Sequence, residues 1–327
     1  MNDRVVLAPG LTPVSKVVVG GSPLGSMPHA YGHELDAETA IATVQRVLAS
    51  PFNLIDTSNE YSDGESERRI AEATRRAGGT PPGFVVATKA DPARGGADFS
   101  GDRVRESFQE SARRLGVERF ELFHLHDPER FDFADMARPG GAIDAMVALR
   151  DEGLVGAIGV AAGDVRETRR YADTGVFDVV LNHSQYTLLD QSANDLIDHV
   201  VASGMTFLNA APYGSGLLAK PASAIARYHY RPASNDIIDR ARRLDKLCRV
   251  YDVPLAAAAL QFSTRDPRIS ATVVGVSAPE RVDQLNANDA LGIPEALWAE
   301  LWDEIGFRPA WAGSATYPDA RPGRTSL

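Results

Sequence analysis

The sequence predicts a (β/α)8 barrel, and three observations support that prediction. Short apolar runs alternate with segments of helical spacing, eight such runs fit within roughly 300 residues, and a glycine precedes five of them. A glycine after a helical segment is the usual left-handed stop, because it has no Cβ to clash. Short runs rich in Val, Ile, Leu and Phe are typical of strands buried on both faces of a parallel sheet.

The predicted strands follow one another along most of the chain. In order they are Val17 to Val19, Asn53 to Ile55, Phe84 to Ala87, Phe120 to Phe123, Val155 to Val160, Phe177 to Leu181, Met205 to Leu208 and Thr272 to Val274. Helical spacing fills the intervals, for example at Ile41, Val44 and Leu48. A doubly wound sheet is the alternative fold, but the glycines within residues 19–25 lack the spacing of a dinucleotide fingerprint.

No interdomain linker interrupts this pattern, so we predict a single domain over residues 1–327. Residues 1–16 are expected to form a hairpin that plugs the bottom of the barrel. The longer irregular segments, 20–35, 90–100, 127–141 and 211–235, each follow a predicted strand, which favours a substrate pocket on that face. The tail at 306–327, which contains Trp311, is compatible both with disorder and with closure over the pocket.

Composition and charge exclude several classes of protein. Apolar residues make up 44% and charged residues 24% of 327 positions, as in a globular chain. No stretch approaches about 18 consecutive apolar residues, so no membrane span is expected. The net charge of −10 argues against nucleic-acid binding. With one cysteine, Cys248, and no signal-peptide pattern, we expect a cytoplasmic enzyme acting on small molecules, as a monomer or small homo-oligomer.

Polar side chains follow three successive predicted strands. Asp56, Lys89 and His126 end the second, third and fourth runs, and Tyr61 lies in the loop after Asp56. Because the carboxyl ends of barrel strands meet at one face, these side chains are expected to converge there. A phenol titrates near pH ~10, but a neighbouring Lys89 ammonium would lower that pKa, and Asp56 would hold the ammonium charged. Beside a neutral imidazole, such a phenol suits carbonyl reduction or alcohol oxidation.

Four short motifs in this order resemble the signatures of the aldo-keto reductase superfamily. They are Asp56-Thr-Ser-x-x-Tyr61, Gly64-x-Ser66-Glu67, Thr88-Lys89 and Leu125-His126-Asp127-Pro128. Two further stretches, residues 209–218 and Tyr228-x-Tyr230-Arg231, are similar to the branch of L-fucose, D-threo-aldose and L-galactose dehydrogenases. The resemblance runs from about Val17 to Asn288, and it implies the superfamily's Asp-Tyr-Lys-His tetrad at Asp56, Tyr61, Lys89 and His126.

The resemblance implies NAD(P)-dependent hydride transfer without a metal, acting on an aldose or a small aldehyde. Tyr61 would be the proton donor or base, Lys89 and Asp56 would tune it, and His126 would orient the carbonyl. The implied cofactor contacts are Asn182, His183, Asn209, Gly214, Gly216, Leu217, Ser277 and Arg281. The expected substrate pocket contains Tyr31, Asp127 and Trp311.

The cofactor contacts depart from the pattern of many relatives. Ala161-Ala162 stands where a Ser-Asn pair often holds the nicotinamide amide, and Ala210 stands where a tyrosine often stacks on the ring. The lysine that NADP-preferring relatives use against the 2′-phosphate is also missing near the eighth strand. Arg281 is the remaining cation there, so the sequence favours NAD slightly over NADP.

Two alternatives stay open from the sequence. His124-Leu-His126 places two imidazoles on one face of a strand, so a metal-dependent barrel hydrolase could use them with His183 as a third ligand and Lys89 as a bridging group. The simpler role for His124 is a core imidazole bonded to a neighbouring backbone group. A non-catalytic, nicotinamide-binding regulatory subunit is the other alternative, although the complete tetrad argues against it.

Overall fold

The computed structural model describes residues 4–220 and 227–309, and it confirms the predicted (β/α)8 barrel. Eight parallel strands close on themselves in the order β12-β3-β4-β5-β6-β7-β8-β9. These strands are β3 (Val17–Gly20), β4 (Leu54–Asp56), β5 (Val85–Ala90), β6 (Phe120–His126), β7 (Val155–Ala162), β8 (Val179–His183), β9 (Thr206–Ala210) and β12 (Ile269–Gly275). Each overlaps one of the eight apolar runs, because both faces of a barrel strand are buried.

The parallel register brings the carboxyl ends of the strands to one rim. Gly20 pairs with both Asp56 and Gly275, and His126 pairs with Ala161. Lys89 lies opposite His124, one residue below the end of β5. The polar residues that end separate strands in the sequence therefore meet at one face of the barrel.

Helices cover the outside of the barrel. They are α1 (Pro28–Tyr31), α2 (Ala37–Leu48), α3 (Glu65–Arg76), α4 (Gly101–Leu115), α5 (Phe133–Ala137), α6 (Ala142–Asp151), α7 (Val165–Ala172), α8 (Asn194–Ala202), α9 (Asn235–Val250), α10 (Leu255–Thr264), α11 (Pro279–Ala290) and α12 (Glu295–Ile305). Local chemistry sets several of their ends: Asp36 accepts a hydrogen bond from Thr39 N at 2.8 Å, and Ser100 accepts one from Arg103 N at 3.3 Å. No helix within residues 4–220 and 227–309 is long and apolar enough to cross a membrane.

Residues 4–15 lie at the other end of the barrel. Strands β1 (Arg4–Val5) and β2 (Val14–Ser15) pair antiparallel, and Leu7 and Leu11 between them are buried. These side chains form one apolar cluster with residues inside the barrel, among them Leu54 and Val85 at the starts of their strands. The segment thus covers the apolar interior at the amino-terminal ends of the strands.

The segments predicted as irregular contain short elements. Two 3-10 turns, Ser22–Gly25 and Pro128–Arg130, precede α1 and α5, and β10 (Arg227–Tyr228) pairs with β11 (Arg231–Pro232) after β9. These pieces are too short for hydrophobic periodicity to reveal. Residues 310–327, including the predicted pocket residue Trp311, lie outside the described part of the chain.

The barrel interior is tightly packed where Gly159 of β7 faces His124 of β6. His124 is completely buried, and a Cβ on Gly159 would lie 2.3 Å from its Nδ1 and 3.0 Å from the carbonyl oxygen of Val179. Neither His124 nitrogen has a hydrogen-bond partner among the described residues, so the expected bond to the backbone is absent. Burial, followed by the charge of Lys89, lowers the pKa of His124 well below its usual range, and the ring is therefore neutral.

Gly159→Ala should reduce the free energy of unfolding by about 1–3 kcal/mol, because the added methyl group overlaps a fixed imidazole. Urea titration measures the loss. Gly292→Ala is the matched control, since its Cβ meets nothing within 4 Å. The double variant Gly159→Ala/His124→Ala should cost less than the sum of the two single changes. Additive costs would show that the two positions do not clash.

Candidate active site

A cavity of about 1200 Å³ opens at the carboxyl ends of the barrel strands. The four residues predicted to act together, Asp56, Tyr61, Lys89 and His126, all line it. Other predicted site residues that line it are Tyr31, Asp127, His183, Gly216, Leu217, Ser277 and Arg281. The face and most of the side chains chosen from the sequence therefore belong to one cavity.

The Lys89 ammonium is the centre of this cluster. Lys89 is 1% exposed, and its Nζ donates to Asp56 Oδ2 at 2.7 Å, to the carbonyl oxygen of Thr57 at 2.6 Å and to Tyr61 Oη at 3.3 Å. A buried ammonium has three protons to satisfy, and these three acceptors satisfy them. The Tyr61 hydroxyl is thereby held at the floor of the cavity, directly against a positive charge.

The ionisation of Tyr61 differs from the sequence-based expectation. We expected Lys89 to lower the pKa of the phenol, but the pKa of Tyr61 is raised well above its usual value of 10. Burial is the largest cause, and the negative charge of Asp56 is the next. Asp56 offsets the ammonium because it lies against the same Nζ. Tyr61 therefore carries its proton at neutral pH.

The loop that carries Tyr61 is fixed by a partly buried ion pair. Gly64 has φ +84°, and a Cβ there would lie 2.5 Å from Arg114 Cζ, so glycine is required at this turn. Arg114 donates to Glu67 Oε2 at 2.9 Å and to the carbonyl oxygen of Asn59 at 3.2 Å. Glu67 is fully buried and also accepts from Thr88 Oγ1 at 2.7 Å. This network holds the loop of Tyr61 onto α4 and β5.

His126 is held by a carboxylate that we did not select from the sequence. Asp91 Oδ1 lies 2.6 Å from His126 Nδ1, and Ser58 Oγ lies 3.1 Å from the same nitrogen. Burial by itself lowers the pKa of His126, but the charges of Asp91 and Asp127 outweigh it, so the pKa is raised above 6.5. The expectation of a neutral imidazole therefore does not hold at pH values below this raised pKa.

Asp91 and Ser58 could have been found with two signals. Ser58 lies inside the Asp56-to-Tyr61 motif, and Asp91 follows Lys89 by two residues. Side chains two apart along a strand point the same way, so an acid directly after the strand and two residues beyond Lys89 is expected on the side of Lys89. We overlooked it because β5 was predicted to end at Lys89, whereas the strand continues to Ala90.

Three of the predicted cofactor contacts are not among the residues that line the cavity. Asn182 donates to the carbonyl oxygen of Ala162 at 3.0 Å, and Asn209 donates to that of Tyr186 at 2.8 Å. Neither residue lines the cavity in the described part of the chain. Gly214 does not line it either, and a Cβ there would lie 2.7 Å from the Tyr228 ring. Tyr228 packing explains this glycine, whereas open space faces Gly216.

One group of side chains in the described residues has donor atoms close enough to bind a metal, namely Glu60, Asp91 and His126. Its carboxylates already have protein partners: Glu60 Oε2 accepts from Arg130 at 3.0 Å, and Asp91 accepts from His126. The group is not the His124, His126 and His183 set that a hydrolase would use. The cluster therefore resembles a proton-handling site more than a metal centre.

Comparisons with known proteins show which family the chain is similar to. The Aldo/keto reductase family profile matches residues 16–301. D-threo-aldose 1-dehydrogenase of a Pseudomonas species is 32% identical over 295 residues, covering 82% of this chain and 88% of the relative. L-galactose dehydrogenase of Arabidopsis thaliana is 29% identical over 295 residues, covering 88% of this chain and 89% of the relative.

The fold is also similar to a solved structure. The aldo-keto reductase AKR11C1 of Bacillus halodurans superposes with a TM-score of 0.74 at 22% identity, covering 94% of this chain and 96% of that protein. At that identity the likeness shows the shared barrel. The family profile matches most of the chain. The chain therefore belongs to the Aldo/keto reductase family, and it is an oxidoreductase of that family.

Proposed function

We propose that this protein is an NAD(P)-dependent oxidoreductase that transfers hydride between a nicotinamide and a carbonyl or alcohol, with Tyr61 as the proton-transfer group. The observation that carries the proposal is the contact of the Lys89 ammonium with both Asp56 and the Tyr61 hydroxyl at the floor of the cavity. A phenol fixed beside a charged group in a substrate-sized cavity is a positioned general acid.

Tyr61 and His126 would both act on the substrate oxygen, Tyr61 by proton transfer and His126 by orienting it. The raised pKa of Tyr61 keeps its proton in place at neutral pH for donation to a carbonyl oxygen. The His126 ring lies edge-on to Tyr61, with ring centroids 5.5 Å apart, and orients that oxygen. In the oxidative direction Tyr61 would accept the proton only as the phenolate, and His126 would hold the alcohol.

The cavity fits a nicotinamide dinucleotide in its size and in its lining. Its 1200 Å³ exceeds the usual range of about 300–1,000 Å³ for small-molecule pockets, as a dinucleotide plus substrate requires. Gly216 has open space beside it, and the cations Arg281 and Lys220 line the same cavity. When bound, the nicotinamide supplies or accepts the hydride. Arg281 and Ser277 would face its adenosine phosphate end.

We propose an aldose, oxidised to its lactone, or a small aldehyde as the substrate. D-threo-aldose 1-dehydrogenase and L-galactose dehydrogenase support this choice by their names. The cavity wall supports it as well, because Asp127, His183 and Tyr31 offer polar groups that match sugar hydroxyls. His183 Nδ1 and Asp127 Oδ1 are buried without a hydrogen-bond partner among the described residues, so a bound hydroxyl could satisfy them.

Tyr61→Phe should reduce turnover by at least about 10²-fold, because the proton-transfer group is lost while the ring that packs in the cavity remains. The assay follows nicotinamide absorbance with a panel of aldoses and aldehydes, and calorimetry measures cofactor binding, which should survive. Tyr251→Phe, outside the cavity, is the control. Near-wild-type turnover of Tyr61→Phe would contradict the role, and tight cofactor binding without turnover of any carbonyl by the wild type would favour a regulatory subunit.

Lys89→Met should move the alkaline limb of the pH–rate profile for alcohol oxidation, where the rate rises as Tyr61 ionises, to higher pH. Removing a positive charge 3.3 Å from the hydroxyl disfavours the phenolate and raises the pKa of Tyr61 further. Lys246→Met, which removes an exposed lysine from α9, should leave the profile unchanged. An unchanged profile with an unchanged rate in Lys89→Met would show that the two groups are not coupled.

The wild type should accept both cofactors and prefer NAD to NADP by about tenfold or less. The reason is that a single partly exposed cation, Arg281, binds the 2′-phosphate of NADP weakly. Arg281→Ala should raise the Michaelis constant for NADP and leave that for NAD nearly unchanged. Lys220→Ala is the comparison variant, since this cation lines the same cavity. Equal losses for NAD and NADP in Arg281→Ala would place this residue on the adenosine or in the fold.

A further inference from the structure

The two ring nitrogens of His126 have different surroundings. Nδ1 lies 2.6 Å from Asp91 Oδ1, in a buried position beside Ser58. Nε2 lies 3.7 Å from Asp127 Oδ1, beyond hydrogen-bonding distance, at a residue that lines the cavity. A substrate oxygen in the cavity would therefore contact Nε2. Whether Nε2 of the neutral ring carries a proton depends on the hydrogen bond that Nδ1 makes.

The carboxylate of Asp91 accepts hydrogen bonds at both oxygens. Its Oδ2 accepts from the Ser58 hydroxyl and from Glu60 N, the latter at 2.9 Å, and its Oδ1 faces His126. Burial raises the pKa of Asp91, but the charge and hydrogen bond of His126 outweigh it, followed by the bonds of Ser58 and Glu60 N, and the pKa ends below 3.8. An ionised carboxylate has no proton to donate, so Nδ1 must carry the proton of the Asp91–His126 bond.

We infer that Asp91 is a positioning residue that fixes the proton of His126 on Nδ1, so that His126 donates a hydrogen bond to a substrate oxygen only as an imidazolium. This inference rests on the proposed function, in which His126 orients the substrate oxygen. It extends that function because the same ring then has two states. The imidazolium donates through Nε2 to a carbonyl, and the neutral ring accepts through Nε2 from an alcohol.

The charged and titratable groups around His126 come from several elements. They are Asp91 after β5, Lys89 on β5, Asp127 after β6, His124 on β6, His183 on β8, and Glu60 and Tyr61 in the loop after β4. Among the electrostatic contributions, Asp91 is the largest and Asp127 the next, and both favour the imidazolium, whereas Lys89 opposes it. His126 therefore gains a proton more readily than a free histidine does.

The inference predicts opposite pH dependences for carbonyl reduction and alcohol oxidation. Because the pKa of His126 is raised, the imidazolium persists above pH 6.5, and carbonyl reduction declines as the pH rises through the raised value. Above that pKa the neutral ring keeps its proton on Nδ1, and Nε2 becomes an acceptor. Alcohol oxidation gains from this change.

Asp91→Asn tests the inference because the surrounding donors fix the orientation of the new amide. Glu60 N can only donate, so the amide oxygen takes the place of Oδ2, and the amide nitrogen faces Nδ1. The amide then donates to Nδ1 and forces the neutral ring to carry its proton on Nε2. The substitution is expected to invert the tautomer of His126 with almost no change in side-chain volume.

The experiment is NMR of the ring nitrogens in protein labelled with ¹⁵N-histidine, with the His126 signals assigned by their absence in His126→Gln. We expect the wild type to show a protonated Nδ1 over the whole pH range, with Nε2 titrating above pH 6.5. Asp91→Asn should show an unprotonated Nδ1 and a protonated Nε2 at neutral pH. A wild type with its proton on Nε2, or an unchanged tautomer in Asp91→Asn, would overturn the inference.

Asp127→Asn is the matched control, because it removes the other nearby carboxylate without touching Nδ1. It should lower the pKa of His126 and keep the proton on Nδ1. Kinetics give the second readout: Asp91→Asn should lower the reduction rate roughly tenfold at neutral pH and lose the alkaline decline, because a neutral Nε2–H donates more weakly and does not titrate there. Inversion of the tautomer in Asp127→Asn would also contradict the assignment to Asp91.

The NMR result does not depend on turnover. If Tyr61→Phe stays active while Asp91→Asn inverts the tautomer, the proposed role of Tyr61 fails and the role of Asp91 stands. If Tyr61→Phe is inactive and the tautomer does not change in Asp91→Asn, the proposed role of Tyr61 stands and the role of Asp91 fails.

Discussion

The burial of the Lys89 ammonium is the constraint on which the rest of the site depends. A charge at 1% exposure must have all its protons accepted, and here the acceptors come from the end of β4 and from the loop behind it. Removing either Lys89 or Asp56 would leave the other as an unpaired buried charge, which costs about 3–5 kcal/mol. The same contacts that stabilise Lys89 therefore place the Tyr61 hydroxyl, and the partly buried Arg114–Glu67 pair fixes the far side of that loop.

A second buried pair, Asp91 with His126, stands beside the first. The two pairs differ in arrangement: Asp56 faces a lysine that also contacts Tyr61, whereas Asp91 faces an imidazole whose other nitrogen is free for the cavity. Burial raises the pKa of Tyr61, and the flanking carboxylates raise that of His126. Both potential donors thus hold their protons to higher pH than the free side chains do, which is the arrangement that carbonyl reduction needs.

The sequence predicted the barrel and the cluster because both follow from strand ends. Apolar runs locate the strands, and parallel pairing brings Asp56, Lys89 and His126 to one rim whatever the details of register. The direction of a side chain depends on the register and the strand length, and these cannot be read from a run of apolar letters. Asn182 and Asn209 illustrate this, because their amide groups donate to backbone carbonyls and do not line the described cavity, and their contact with the cofactor stays a prediction. The pKa of Tyr61 was predicted with the wrong sign, because the effect of burial depends on packing that only the structure shows.

The most direct test of the account is the ionisation of Tyr61 in the folded protein. The account holds that burial and Asp56 outweigh the nearby ammonium and keep the phenol protonated. NMR of protein labelled with ¹³C at the tyrosine Cζ, with the Tyr61 signal assigned by its absence in Tyr61→Phe, follows this ionisation across pH. We predict that Tyr61 stays protonated up to and beyond pH 10. A Tyr61 phenolate at neutral pH would contradict the account.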